Sequence, residues 1–300
     1  MPARSTQPSP AWPEHLITPD ATRLKLRHWA AAPEAGALRG VICLVHGLGE
    51  HSGRHEALAL HLCAQGWAVL AHDLRGHGSS GGARGALPDP EALLRDLAQL
   101  IDLARAHYPG QRLLLLGHSM GGLIVARFVA AQARLPQDPG LAPAWSRPVE
   151  GLVLSSPALD LGMNAVQRAL LATVAPLLPN LALSNGLKPE WVCSDPGVVR
   201  AYVNDPLVHD RITGRLTQFL ADSVKAVFHG AAHWPVSTLL LYAGADRCIC
   251  PAGSVRFADI TRAAQRPVAV KAYPRMAHEI FHEPDQDQPL AELDRWLAAL

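Results

Sequence analysis

Three side chains in this sequence have the types and the chain order that acyl transfer needs: Ser119, Asp246 and His278. A serine hydroxyl is a weak nucleophile until a base takes its proton, and a carboxylate behind the base orients its ring and stabilises its charged form. Ser119 stands in Gly117-His118-Ser119-Met120-Gly121-Gly122, directly after the four leucines Leu113–Leu116 and before a helix-like stretch reaching Ala133. A strand-to-helix turn that exposes a nucleophile is tight, and the residues two before and two after it must be small. Gly117 and Gly121 meet that demand. The same Gly-x-Ser-x-Gly spacing recurs at Gly78-Ser79-Ser80-Gly81-Gly82, but Ala83-Arg84-Gly85-Ala86 and Pro88 follow it and start no long helix. Ser80 is therefore read as a loop residue.

Asp246 follows the apolar run Thr238–Tyr242 through Ala243-Gly244-Ala245, and His278 follows Val268–Ala272 through Tyr273-Pro274-Arg275-Met276-Ala277. Both positions lie just past the end of an expected strand, on the same sheet edge as Ser119. The base has a neighbour of the same type, His282, one helical turn further on. His278-Glu279-Ile280-Phe281-His282 also matches His-Glu-x-x-His, a zinc-binding pattern when both histidines share one face of an established helix. Here the strand end and Pro274 lie just before and Pro284 just after, so no metal is expected. The oxyanion of acyl transfer needs two donors. The expected pair is the N–H of Met120 at a helix start and the N–H of Leu48, in His46-Gly47-Leu48-Gly49-Glu50-His51 after the run Gly40–Val45.

These residues need a scaffold that brings strand ends together. Short apolar runs at Gly40–Val45, Trp67–Ala71, Arg112–Leu116, Leu152–Leu154, Thr238–Tyr242 and Val268–Ala272 alternate with helical patterns, and Arg23–Ala30 suits an edge strand. Asp89-Pro90 reads as a helix start, followed by Leu93, Leu97, Leu100, Ile101 and Ala104 on one face. Strands alternating with helices predict a mostly parallel sheet covered on both faces, with ligands at the carboxyl ends of the strands. Two segments depart from the rhythm. Leu135–Pro148 reads as a surface loop. The stretch 157–235 shows no βαβ pattern and reads as an insertion over the strand ends, a cap. The expected division is 1–156 and 236–300 for the core and 157–235 for the cap.

Composition narrows the function classes. The 300 residues are 49% hydrophobic and 18% charged with a formal net charge of +1, which suits a globular protein and gives no basic field for nucleic acid. Five cysteines without a Cys-x-x-Cys pair fit reduced thiols. Cys248 and Cys250 stand two and four residues after Asp246, so a bulky adduct on either would displace the acid. Met1–Pro13 has no apolar leader, and the most apolar stretch, 165–183, is interrupted by Gln167, Arg168, Pro176 and Pro179. A cytoplasmic protein is expected.

The motifs His46-Gly47-Leu48-Gly49-Glu50-His51-Ser52-Gly53-Arg54, Asp73-Leu74-Arg75-Gly76-His77-Gly78-Ser79-Ser80 and Gly117–Gly122 together resemble the monoacylglycerol lipase and lysophospholipase family of α/β-hydrolases. Asp205-Pro206-Leu207-Val208, Gly244-Ala245-Asp246 and His278-Glu279 extend the resemblance over roughly residues 12–299. The resemblance implies an α/β-hydrolase fold with an eight-stranded, mostly parallel sheet flanked by helices and an inserted helical cap. It implies ester hydrolysis through an acyl-enzyme without cofactor or metal, on monoacylglycerols or related single-chain lipids. Lysophospholipase and short- or medium-chain carboxylesterase activity are the alternatives, and a non-catalytic binder of apolar ligands is the remote one. Gly47, Glu50, Arg54 and His118 are candidates for the substrate pocket, with Glu50 and Arg54 at a polar end or paired structurally with each other. Leu170, Val174 and Leu178 are candidates for its apolar wall. Met163, Val166, Leu170, Leu171, Val174, Leu177 and Leu178 form a candidate surface for transient membrane contact, or simply pack the cap onto the body. The sequence departs from the family in its long 135–148 connection and in Trp191 within the cap; it leaves the oligomeric state open.

Overall fold

A computed structural model of the chain describes residues 12–133, 142–173, 175 and 177–300. Along the chain come β1 (His15–Ile17), β2 (Arg23–Trp29), β3 (Gly40–Val45), α1 (Glu56–Ala64), β4 (Trp67–His72), α2 (Ala92–His107), β5 (Leu113–His118), α3 (Met120–Gln132) and β6 (Gly151–Ser155). After these come α4 (Ala165–Thr173), β7 (Ala182–Ser184), α5 (Pro196–Asn204), β8 (Arg211–Thr213), α6 (Gly214–Gly230), β9 (Thr238–Ala243), α7 (Ala252–Ala263), β10 (Val268–Tyr273) and α8 (Asp287–Ala298). Eight strands form one sheet in the order β1-β2-β4-β3-β5-β6-β9-β10, and β7 and β8 make a separate antiparallel ribbon. The pairs from β4 to β10 are all parallel; β1 and β2 are antiparallel, as edge strands often are in such sheets. The expected eight-stranded, mostly parallel α/β sheet is what forms.

The leucine run of β5 shows why these sequences become buried strands. Leu113 and Leu115 enter one core, with Val41, Cys43 and Val45 of β3 and Leu152 and Leu154 of β6. Leu114 and Leu116 enter the other, with Ile42 and Leu44 of β3 and Val153 of β6. A side-chain period of two, apolar at every position, is what a strand needs when both of its faces are covered. Helices α2, α3, α6 and α7 close the first face; α1 and α8 close the second. The helix after Asp89 begins at Ala92, later than Asp89-Pro90 suggests: the Asp89 carboxylate accepts the Glu91 N–H at 2.9 Å and shapes the turn ahead of the helix.

The inserted stretch divides by its packing. The apolar side of α6, with Leu216, Phe219, Leu220 and Val227, lies along α3 in the first core. Residues 157–213 hold the two-stranded ribbon and the short helices, with Leu177, Leu178, Leu181 and Leu183 exposed. Leu178 is 52% exposed. Val174 lies outside the described residues, as do the side chains of Val166 and Leu170 and the loop residues 135–141. No helix among the described residues is long and apolar enough to cross a membrane.

Phe257 of α7 is fully buried and meets Trp234 edge-on at 4.8 Å, and α7 packs against β9, the strand that leads into the Asp246 loop. Phe257→Ala is expected to lower unfolding free energy by about 3–5 kcal/mol in urea titrations.

Candidate active site

The turn between β5 and α3 is tightly enclosed by neighbouring backbone. Ser119 has φ 53° and ψ −118°, a left-handed conformation that a non-glycine residue adopts only when its surroundings enforce it. The enforcement comes from both sides. The Ser119 N–H donates to the Ser155 carbonyl at 3.0 Å, and the Ser119 carbonyl accepts from Ala158 at 3.0 Å and Leu123 at 3.1 Å. A Cβ at Gly121 would collide with the carbonyl oxygens of Val45 and His46, one at Gly117 with the Gly121 carbonyl, and one at Gly122 with Pro157. The small residues expected around Ser119 are therefore required by backbone approach. Met120 opens α3, where the first N–H groups have no intrahelical acceptor.

Asp246 and His278 meet as expected. His278 Nδ1 donates to Asp246 Oδ2 at 2.6 Å, and both side chains are almost wholly buried. Asp246 Oδ1 accepts from the N–H groups of Cys248 at 2.8 Å and Ile249 at 3.1 Å, so its loop fixes the carboxylate. The His278 ring lies 4.7 Å from the ring of His118, the residue before Ser119. Residues 278–282 form no helix, and His282 instead donates through Nε2 to the Arg54 carbonyl at 2.9 Å. The His-Glu-x-x-His spacing thus lacks the helix its zinc chemistry needs. The second Gly-x-Ser-x-Gly is structural too: the Ser80 hydroxyl donates to the Asp73 carbonyl and accepts the Lys25 N–H.

The loop after β3 closes over Ser119. A Cβ on Gly47 would sit 3.2 Å from Ser119 Cβ, so Gly47 lets this backbone come close. Gly47 N–H donates to Glu50 Oε1 at 2.6 Å. His46 braces the loop from below as a neutral ring, donating through Nδ1 to the Gly47 carbonyl and accepting the Leu74 N–H on Nε2. Leu48 is half-buried against the first core. The inserted stretch also grips this loop: His209 N–H donates to the Gly49 carbonyl at 2.8 Å, and His51 donates to Asp205 at 2.8 Å. The motif Asp205-Pro206-Leu207-Val208 thereby anchors the inserted stretch to the loop after β3.

Glu50 and Arg54, both considered for the substrate pocket, are engaged mainly with protein. Arg54 Nη1 donates to Glu50 at 2.7 Å and to Glu279 at 2.6 Å, and Nη2 donates to the second Glu279 oxygen at 2.7 Å. His55 donates to the other Glu50 oxygen at 3.1 Å. Burial works against ionising Glu50, but His55 and Arg54 outweigh it and hold its carboxyl well below the usual range. The guanidinium lies over the Tyr202 ring at 4.7 Å. Glu279, His55 and Tyr202 complete a network that sequence reasoning did not assemble; Tyr202, in α5, carries no spacing signal toward Arg54. Burial, with His278 next, keeps the His118 ring neutral by pushing its pKa well below the ordinary value. In the cap, Trp191 faces Arg247 at 5.0 Å and Lys188 at 5.7 Å, beside the loop of Asp246.

Two outcomes are expected. Arg54→Met leaves Glu50 and Glu279 buried without their shared cation, and should cost about 3–5 kcal/mol in chemical denaturation. His46 is held at about 4 by burial, below its ordinary 6.5. Between those values the unfolded chain binds a proton that the native state refuses, so stability is full above pH 6.5 and falls as pH drops toward 4. His28, also brought to about 4 by burial, adds to the slope. Thermal melts across this window should show Tm falling with pH, and His28→Gln should flatten the fall.

With this geometry, the likenesses to known proteins have a physical counterpart. The family model described as Serine aminopeptidase, S33 matches residues 36–285. A monoacylglycerol lipase of Mycolicibacterium smegmatis is 34% identical over 87% of this chain and 89% of its own. The human monoglyceride lipase is 30% identical over 90% of this chain and 88% of its own. The crystal structure of a Paleococcus ferrophilus monoacylglycerol lipase, 32% identical, superposes with a TM-score of 0.77 over 92% of this chain and 98% of that one. The chain belongs to the S33 serine aminopeptidase family, among the serine hydrolases of α/β-hydrolase fold.

Proposed function

We propose that this protein is a serine carboxylic ester hydrolase that cleaves monoacylglycerols to fatty acid and glycerol through an acyl-enzyme on Ser119. The observation that carries the reading is the 2.6 Å pair of His278 and Asp246 beside the strained Ser119 turn. His278 Nε2 takes the Ser119 proton as Oγ attacks the ester carbonyl, and Asp246 holds the ring in the tautomer that leaves Nε2 free to accept. The N–H groups of Leu48 and Met120 receive the oxyanion. His278 then returns the proton to the departing alcohol, and water reverses the sequence to free the acid. The names of the relatives at 34% and 30% identity support a monoacylglycerol as the ester.

The surroundings of Gly47, with the Glu50–Arg54 network and His118 close by, are polar and suit the alcohol part of such a substrate. The cap in this reading is 157–213, since α6 packs with the core. The four exposed leucines between 177 and 183, Leu178 among them, support transient contact with a lipid surface by a cytoplasmic enzyme. The chemistry needs no cofactor.

Fatty-acid release should be followed on monoacylglycerols, p-nitrophenyl esters and lysophospholipids. Monoacylglycerols are expected to be the best substrates. Ser119→Ala should lower kcat by at least about 10⁴-fold while folding normally, and Asp246→Asn by about 10⁴-fold. A wild-type protein inert on every ester, or a Ser119→Ala protein with an unchanged rate, would overturn the reading.

A further inference from the structure

The carboxylate–histidine pair has a third neighbour that hydrolysis does not use. One ligand atom each from Asp246, Cys248 and His278 lies within 4.8 Å of the others. The three supply oxygen, sulfur and nitrogen, a donor set typical of zinc and its thiophilic analogues. We propose that Asp246, Cys248 and His278 form a binding site for a thiophilic divalent cation of the zinc class, and that filling it switches hydrolysis off. The silencing half of the proposal rests on His278 being the base.

The local geometry favours capture. Asp246 Oδ1 is occupied by the N–H groups of Cys248 and Ile249, which leaves Oδ2 as the oxygen aimed at His278. Cys248 sits on the loop between β9 and α7, in no regular element, so its sulfur can move without disturbing the sheet. A tetrahedral ion with bonds of about 2.0–2.3 Å separates its donors by roughly 3.5 Å. The 2.6 Å Asp246–His278 pair therefore opens a little, and the sulfur draws in. One proton leaves, from the Cys248 thiol, while the His278 proton moves by way of solvent from Nδ1 to Nε2, and water takes the fourth position. The thiolate and carboxylate together neutralise the dication, so the occupied site is neutral.

Silencing follows from the imidazole tautomer. In the free protein Nδ1 carries the ring proton and Nε2 is the lone pair. A metal on Nδ1 leaves the neutral ring's proton on Nε2, the nitrogen that must accept the proton of Ser119. The ring stays in place but loses its basic nitrogen. The site is distinct from the His-Glu-x-x-His spacing, since His282 is not a ligand.

The test uses the purified full chain and cobalt(II) as a spectroscopic probe. A one-to-one cobalt complex with a thiolate-to-metal absorption band is expected, together with at least about a tenfold loss of ester hydrolysis in zinc that EDTA restores. Cys248→Ser should lose the band and need about 100-fold more zinc for the same fractional inhibition, each protein read against its own metal-free rate. Cys250→Ser should behave as wild type. Absence of the band, or equal zinc inhibition of Cys248→Ser, overturns the proposal. A band with full hydrolysis overturns the silencing. The cobalt spectrum needs no turnover, so the site is still tested if the protein proves inert on every ester, an outcome that counts against the hydrolase reading alone.

Discussion

Ser119 is held at a φ of 53° because three backbones press on its turn: the end of β3 at Val45 and His46, the end of β6 at Ser155, and the chain beyond it at Pro157 and Ala158. Each contact requires its neighbours to be in place. The glycines at 117, 121 and 122 are empty of side chains because carbonyls and a proline ring occupy the space where those side chains would go. The parallel register of β3, β5 and β6 is what brings these groups to one edge. The doubly covered sheet thus acts as the clamp for a single strained residue, and the strain is sustained by burial on both faces rather than by the turn itself.

Around this clamp, charge is placed with care for its solvation. Asp246 is buried, yet both its oxygens accept hydrogen bonds. Glu50 and Glu279 share Arg54, and one oxygen of Glu50 also takes the Gly47 N–H. An ionised carboxylate away from water survives only with such partners. The network accordingly joins the Gly47 loop, the start of α1 and the segment after His278. It ties the expected oxyanion loop to the segment that carries the expected base.

Much of this is legible in the sequence, and the part that is not has a physical cause. Leu113–Leu116 announces a strand buried on both faces, and Gly117 with Gly121 announces the turn, because each depends on local chain geometry. Asp246 and His278 are legible from their place after strands. Partner choice is different. The apolar side of α6 reads as an amphipathic helix wherever it docks, so nothing in its periodicity assigns it to α3 rather than to the cap. Arg54 and Glu279 are 225 positions apart, and charge alone does not announce that they pair. Tyr202 lies between them in the chain without any pattern that points at Arg54.

The inserted stretch does not hang from its two ends only. At Asp205 and His209 it returns to the core and is fastened to His51 and Gly49, while its exposed leucines lie upstream, between 177 and 183. That fastening divides the insertion into a distal lobe and a stapled return. A lobe closed by a staple can lengthen, shorten or change its greasiness at small entropic cost, since closure entropy grows only slowly with loop length. The lobe can therefore change in sequence and length while Gly47 and Leu48 stay where they are. In evolutionary terms the staple is an insulator: it lets the lobe drift without moving the Gly47 loop.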